Sequence, residues 1–209
     1  KIDVVYNGID LTQSAGDRDG RSLRGELGIS HDAPLVLFVG RMVYQKGPDL
    51  LLWAVPKVLQ RFPTIRFVFA GEGDMRSTVA AQAQGMGLSH IVSFLGDVAP
   101  GRIHTLYDTS NVVCVPSRNE PFGLVVLEAW RASKPVVTTD QGGPGEIVWH
   151  GVTGNKVPAE PDALANAIGD ILADEARAQW MGRNGRIAVE ESFSWDFAAE
   201  EVLATYHSV

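Results

Sequence analysis

At 209 residues the chain can bury one substantial core, and its make-up, 45% hydrophobic and 21% charged with 22 Gly and 11 Pro, is that of an ordinary globular protein. A formal net charge of −7 argues against non-specific binding to nucleic acid or to an anionic membrane, so any anionic ligand must be held by a local basic cluster. No stretch approaches the ~18 apolar residues that a membrane span needs. A single cysteine, Cys114, excludes an internal disulfide and fits a reducing, cytoplasmic setting.

The chain opens on Lys1 and reads at once as a strand, which is expected of a piece of a longer protein. Residues 12–25 read as a polar, mobile loop. Residues 34–40 (PLVLFVG) form a continuous apolar run ending in glycine, the pattern of a strand buried on both faces. After the turn MVYQKG, residues 48–61 carry helical periodicity; Pro48 suits a first turn, and Pro56 is expected to kink the helix or end its first half. Strand 65–71, helix 74–86, strand 91–95, helix 102–109, strand 112–115, helix 123–132 and strand 135–138 follow in turn. A Gly-rich turn occupies 141–146. Residues 161–173 and 175–190 read as two more helices, and Ser194 or Asp196 can cap a last one running to about Tyr206. Cys114 reads as a small buried hydrophobe in its strand.

Short apolar strands alternating with helices imply a doubly wound, Rossmann-like α/β fold around a parallel sheet, in one domain. Ligands of such sheets lie at the carboxyl ends of the strands, which directs the search to the loops after Gly40, Gly71, Leu95, Pro116 and Asp140. The first of these, Gly40 to Gly47, carries Arg41 and Lys46, a planar fork and a point charge able to clamp a diphosphate. Two solvated cations are the plainer alternative. In Pro116-Ser-Arg-Asn-Glu-Pro-Phe-Gly-Leu-Val-Val-Leu-Glu-Ala-Trp130, a helix should start near Gly123, and the uncapped N–H groups of Gly123, Leu124 and Val125 would form an anion site. Glu120 precedes that helix and reads either as a site acid or as a solvated one. Glu128 interrupts an apolar stretch that leaves no wide polar face, so its carboxylate needs donors. Ribose hydroxyls would supply them, or Arg131 at i+3 would pair with it.

Weaker signals carry less. Gly71-Glu72-Gly73 lacks the third glycine of a dinucleotide fingerprint, since residue 76 is Arg. Asp17-Arg18-Asp19 has a metal-holding spacing but lies in a polar loop after no strand. The five histidines show no ligand spacing, and no metal site is expected.

The chain resembles the C-terminal domain of glycosyltransferase family 4, the group 1 retaining glycosyl transferases. The resemblance rests on Asn7-Gly8-Ile9-Asp10, Gly40-Arg41…Lys46-Gly47, Ala70-Gly71-Glu72-Gly73, Phe94-Leu95-Gly96, Pro116-Ser117, Glu120 through Glu128 with Pro-Phe-Gly between, Gly142-Gly143-Pro144-Gly145-Glu146, and Gly151-Val152-Thr153-Gly154. It implies residues 1–209 as the nucleotide-sugar donor-binding half of a two-domain GT-B fold, with the final helix, 195–206, free to cross to an N-terminal acceptor-binding domain. Arg41 and Lys46 would then contact the donor diphosphate, with Gly123, Leu124 and Val125. Glu120 would serve as the catalytic group at the donor sugar, with Pro121 and Phe122 facing that sugar, and Glu128 would bond the ribose. Backbone at Ser93, Phe94, Leu95 and Gly96 would face the base. Asn155-Lys156 departs from the apolar pair usual there and leaves the local strand pairing open.

The function implied is transfer of a hexose from a UDP-, GDP- or ADP-sugar to an acceptor hydroxyl with retention, without cofactor or metal. A sugar-nucleotide-binding module, or an epimerase relative that transfers nothing, is the alternative. Nucleic acid is not an expected partner, and membrane association of a full-length enzyme stays open.

Overall fold

A computed structural model describes residues 4–12 and 20–207. Six strands, β1 (Leu35–Val39), β2 (Arg66–Ala70), β3 (Val92–Gly96), β4 (Val112–Val115), β5 (Val136–Thr139) and β6 (Gly154–Val157), form one sheet in the order β3-β2-β1-β4-β5-β6. Every pairing is parallel. The helices are α1 (Gly20–Glu26), α2 (Pro48–Arg61), α3 (Arg76–Gly85), α4 (Pro100–Thr109), α5 (Leu124–Arg131), α6 (Gly142–Ile147), α7 (Pro161–Ala173), α8 (Glu175–Ser192) and α9 (Trp195–His207).

The continuous apolar strands have a simple cause. Along β1, Val36 and Phe38 enter one core with α2 and α7, while Leu35 and Leu37 enter the other with α4, α5 and α8. The same alternation splits Phe67 and Phe69 from Val68 and Ala70, and Val112 and Cys114 from Val113 and Val115. Both faces are covered, so neither can afford polar side chains. Cys114 lies in the first core, where burial pushes its thiol pKa up and keeps it unreactive.

Four local expectations change. The helix of residues 48–61 runs unbroken through Pro56: Leu51, Leu52, Val55 and Val58 are fully buried, and that packing outweighs the hydrogen bond lost at proline. The Gly-rich turn at 141–146 is helical, as α6, because its glycines let the turn press against neighbouring loops. Part of the loop at 12–25 is α1, held by buried Leu23; residues 13–19, with Asp17-Arg18-Asp19, lie outside the described residues. Asn155 and Lys156 fall in β6, paired in register with Val137 and Thr138. That strand is at the edge of the sheet, where polar residues are at home.

Ser194 caps α9, its Oγ accepting the Phe197 N–H at 3.0 Å. Gly8 packs on the same corner: a Cβ there would lie 2.5 Å from the Ser194 carbonyl carbon, and the neighbouring Ile9 N–H donates to the Phe193 carbonyl at 2.8 Å. On α9 itself the side chain of Ala198 is buried, whereas Trp195, Phe197, Val202, Leu203 and Tyr206 are exposed.

Candidate functional site

Strand order reverses between β1 and β4, which makes the crevice above their carboxyl ends the switch point of the sheet. The loop after β1 carries Arg41 and Lys46; the loop after β4 carries Glu120. The two loops are stitched together. Gln45 O accepts the N–H groups of Arg118 (2.8 Å) and Asn119 (3.2 Å). The Arg118 guanidinium grips Asp49 with two bonds of 2.8 and 2.6 Å, donates to Tyr44 O at 2.9 Å, and stacks 4.1 Å over the Tyr44 ring. Hydrogen bonding to Asp49 raises the Arg118 pKa above its ordinary value.

Gly47, at φ 66°, closes the stitch: a Cβ there would lie 2.0 Å from the Pro116 carbonyl oxygen, so only glycine allows the approach. The result is an ion pair between Lys46 Nζ and Glu120 Oε2, with Glu120 buried rather than solvated. From the third side, the Gly143 N–H donates to Glu120 O at 2.9 Å and Thr139 Oγ1 donates to Ser117 O at 2.5 Å.

Gly123, at φ 101°, precedes α5 and provides no side-chain cap. The first N–H of this helix to bond within it is that of Val126, to Gly123 O at 2.8 Å. The N–H groups of Leu124 and Val125 therefore point out of the helix end, an arrangement suited to an anion. Pro121 is exposed; the Phe122 ring stacks with Tyr6, centroids 5.9 Å apart.

Beside this lies a cleft of about 610 Å³ lined by Arg41, Glu72, Asp97 and Glu128, with Val98, Pro100 and Ile103 as an apolar wall. Its floor is Gly40, Gly71 and Gly73. A Cβ on Gly71 would meet Gly40 O at 2.0 Å, so the Gly-x-Gly after β2 serves close packing of two loops. Ser93, Phe94, Leu95 and Gly96 belong to β3 and lead into this wall at Asp97; the Phe94 ring packs on Phe69 at 5.1 Å.

Glu128 does not pair with Arg131. Its Oε2 accepts the Tyr107 hydroxyl at 2.6 Å, while Arg131 donates to Asp10 O at 3.1 Å and meets His104 Nδ1 at 2.5 Å. Tyr107 is fully buried, and burial, reinforced by the neighbouring carboxylate, holds its phenol pKa well above the usual value.

Arg118 and Tyr107 are the residues that sequence reasoning missed, since their partners lie 69 and 21 residues away and no local pattern links them. Among the described residues no group of three or more His, Cys, Asp or Glu could hold a metal, and no helix is long and apolar enough to cross a membrane.

A second groove, of about 790 Å³, lies away from these groups between residues 4–6, α8 and α9, with Trp149, Trp180, Ile187 and Phe197 among its walls. Among the described residues that line it there is no cation, whereas Arg41 lines the first cleft, so the first cleft is the better fit for an anionic ligand.

Comparison with known proteins agrees with the geometry. Residues 19–188 match the model of the glycosyl transferases group 1 family. The chain is 38% identical over 212 residues to an uncharacterized glycosyltransferase of Methanocaldococcus jannaschii, covering 99% of this chain and 54% of that protein. It is 37% identical over 215 residues to the D-inositol 3-phosphate glycosyltransferase of Nocardia farcinica, covering 99% and 47%. Among solved structures, sucrose-phosphate synthase of Thermosynechococcus elongatus superposes with a TM-score of 0.83 at 32% identity, over 98% of this chain and 51% of that one. HepE of Anabaena, crystallised with UDP-glucose, gives 0.87 at 28% identity, over 99% and 57%. The chain spans about half the length of the curated relatives it matches. With a doubly wound sheet, a charged crevice at its switch point and these likenesses together, the chain belongs to the group 1 glycosyl transferases.

Proposed function

We propose that this chain is the donor-binding half of a retaining hexosyltransferase, holding a nucleotide diphosphate sugar while its hexose passes to an acceptor hydroxyl presented by a further domain. The observation that carries the reading is one cleft lined by both Arg41 and Glu128, beside the Lys46–Glu120 pair and the open N-terminus of α5. Each moiety of such a donor has a counterpart: ribose hydroxyls for Glu128, diphosphate oxygens for Arg41, Lys46 and the N–H groups of Leu124 and Val125, and the sugar for Glu120 with Pro121 and Phe122. Ser93, Phe94, Leu95 and Gly96, with the cleft wall beyond them, are the side for the base. UDP-glucose in the Anabaena structure supports a nucleotide sugar as the ligand class.

The chemistry follows from charge. As the glycosidic bond breaks, negative charge grows on the diphosphate, and Arg41, Lys46 and the α5 N-terminus stabilise it without calling on a metal. Positive charge grows on the sugar, and Glu120 stabilises and orients it. In this reading Glu120 works without a paired carboxylate nucleophile, which sets the mechanism apart from that of a retaining hydrolase.

Calorimetric titration with UDP, GDP and ADP tests the reading. One of them should bind, at about 0.1–1 mM because the isolated site is open to water. Arg41→Ala or Lys46→Ala should weaken that binding by about 1–3 kcal/mol and leave the nucleoside unaffected. Equal losses for nucleoside and diphosphate, or no binding of any of the three, refute it.

A further inference from the structure

Glu128 sits in a cleft wall, and among the described residues no cation forms an ion pair with it. Arg131, the residue one turn along that is placed to neutralise it, is taken by Asp10 O and His104. The group that does reach the carboxylate is a neutral one, the Tyr107 hydroxyl, 2.6 Å from Oε2. Among the described residues no other hydrogen bond reaches this carboxylate. Tyr107 comes from the last turn of α4, with its ring 1% exposed in the core formed with Val113, Val126 and Trp130. A ring so enclosed cannot rotate away, and its hydroxyl has one acceptor to aim at.

We propose that Tyr107 is a positioning residue for ribose recognition: its buried hydroxyl anchors Oε2 of Glu128 and leaves Oε1, on a carboxylate that keeps its negative charge, to the hydroxyls of a bound ribose. The inference rests on the nucleotide reading given above. Its physical content is preorganisation. A glutamate has three rotatable side-chain bonds, and freezing them before the ligand arrives removes that cost from binding. A cation in the same place would anchor the carboxylate equally well but compete for its charge. A neutral donor fixes the geometry and spares the charge for the ligand. Burial of the phenol, and then the Glu128 charge beside it, keep it protonated, so the donor persists across the neutral range.

The test compares each of UDP, GDP and ADP with its 2′,3′-dideoxy counterpart by calorimetry. The chain should prefer the ribose form by about tenfold or more, the scale of hydrogen bonds to a charged acceptor. Tyr107→Phe, which deletes one oxygen from the core, should narrow that preference to about threefold, with dideoxy affinity unchanged. Glu128→Asp, which draws the carboxylate back by one methylene with Tyr107 intact, should narrow it as well. Adding Tyr107→Phe to Glu128→Gln should narrow it no further than Glu128→Gln alone. A full ribose preference in Tyr107→Phe or in Glu128→Asp overturns the inference, even if the melting temperature falls, because the hydroxyl would then be structural only. Binding of a diphosphate without ribose preference overturns it through Glu128. Failure of all three diphosphates to bind overturns instead the nucleotide reading beneath it.

Discussion

Arg118→Ala removes the clamp between the loops that carry Lys46 and Glu120, and its cost divides into two measurable parts. Stability loses two charge-assisted bonds to Asp49, one bond to Tyr44 O and a stacked ring contact at 4.1 Å. The pair is about one-fifth exposed, 21% and 19%, so solvent screens part of the gain, while Asp49 is left half-buried without its partner. A loss of about 2–3 kcal/mol follows, between the values for exposed and fully buried pairs. Asp49→Ala should cost a similar amount, and the double variant little more than either, giving a coupling energy of about 2 kcal/mol in urea unfolding. Binding should suffer separately. With residues 44–49 no longer fastened to 116–120, Lys46 and Glu120 lose their common frame, and affinity for a nucleotide diphosphate should fall about tenfold in folded protein. If stability drops by the stated amount while affinity holds, the clamp does not position the site. If the single-variant costs simply add, the pair is not coupled and the reasoning fails at its first step.

Three further outcomes are expected. Glu120→Gln frees Lys46 from its ion pair, so affinity for a nucleotide diphosphate should hold or rise slightly while discrimination between it and its sugar conjugate falls; a large loss of diphosphate affinity would refute this. Tyr107→Phe should flatten the alkaline loss of stability: the folded phenol pKa lies well above the unfolded value of about 10, so above that pH the unfolded state alone releases the proton and stability falls, by up to about 1.4 kcal/mol per pH unit. Equal alkaline slopes for the two proteins would contradict it. The exposed row Trp195, Val202, Leu203 and Tyr206 on α9, next to the groove lined by Trp149 and Trp180, should make the isolated chain self-associate, as read by sedimentation, and Leu203→Glu with Tyr206→Glu should reverse that; a strictly monomeric chain at high concentration would count against an uncovered surface.

The sheet was legible because its signal is collective. Residues 34–40, 65–71 and 112–115 are apolar without interruption, and only strands covered on both faces demand that. β6 escaped because an edge strand makes no such demand: Gly154, Asn155 and Lys156 pair through the backbone, and their side chains carry no alternation. The turn at 141–146 misled for a related reason. Its glycines read as a turn, yet a Cβ at Gly142 would sit 2.3 Å from Glu120 O, so they record a close approach to a loop distant in sequence. Glu120 and Glu128 were visible as acids out of place, one in a Pro-Phe-Gly context and one in an apolar helix. What holds them was not, because Lys46, Arg118 and Tyr107 come from other loops and helices, and such pairings exist only after the sheet has set its order.

The balance of charge in the cleft bears on how a diphosphate is held in a chain of net charge −7. Arg41 is the cation among the lining residues, against Glu72, Asp97 and Glu128. Glu72 is partly offset by Arg76 at 3.4 Å, and Lys46 spends its charge on Glu120. The field over the cleft is therefore not strongly positive, and long-range attraction contributes little. Holding must come from directional contacts at close range: the Arg41 fork, the Lys46 ammonium beside Glu120, and the N–H groups of Leu124 and Val125 at the end of α5. Close contacts are screened far less than a diffuse field, whose reach at 0.1 M salt is about 10 Å. Raising salt from about 0.05 to 0.5 M should thus weaken diphosphate affinity by less than about tenfold. A polybasic surface would lose far more over that range. A steep, many-ion salt dependence would mean that a basic patch outside this cleft binds the anion, and the assignment of Arg41 and the α5 N-terminus would fall with it.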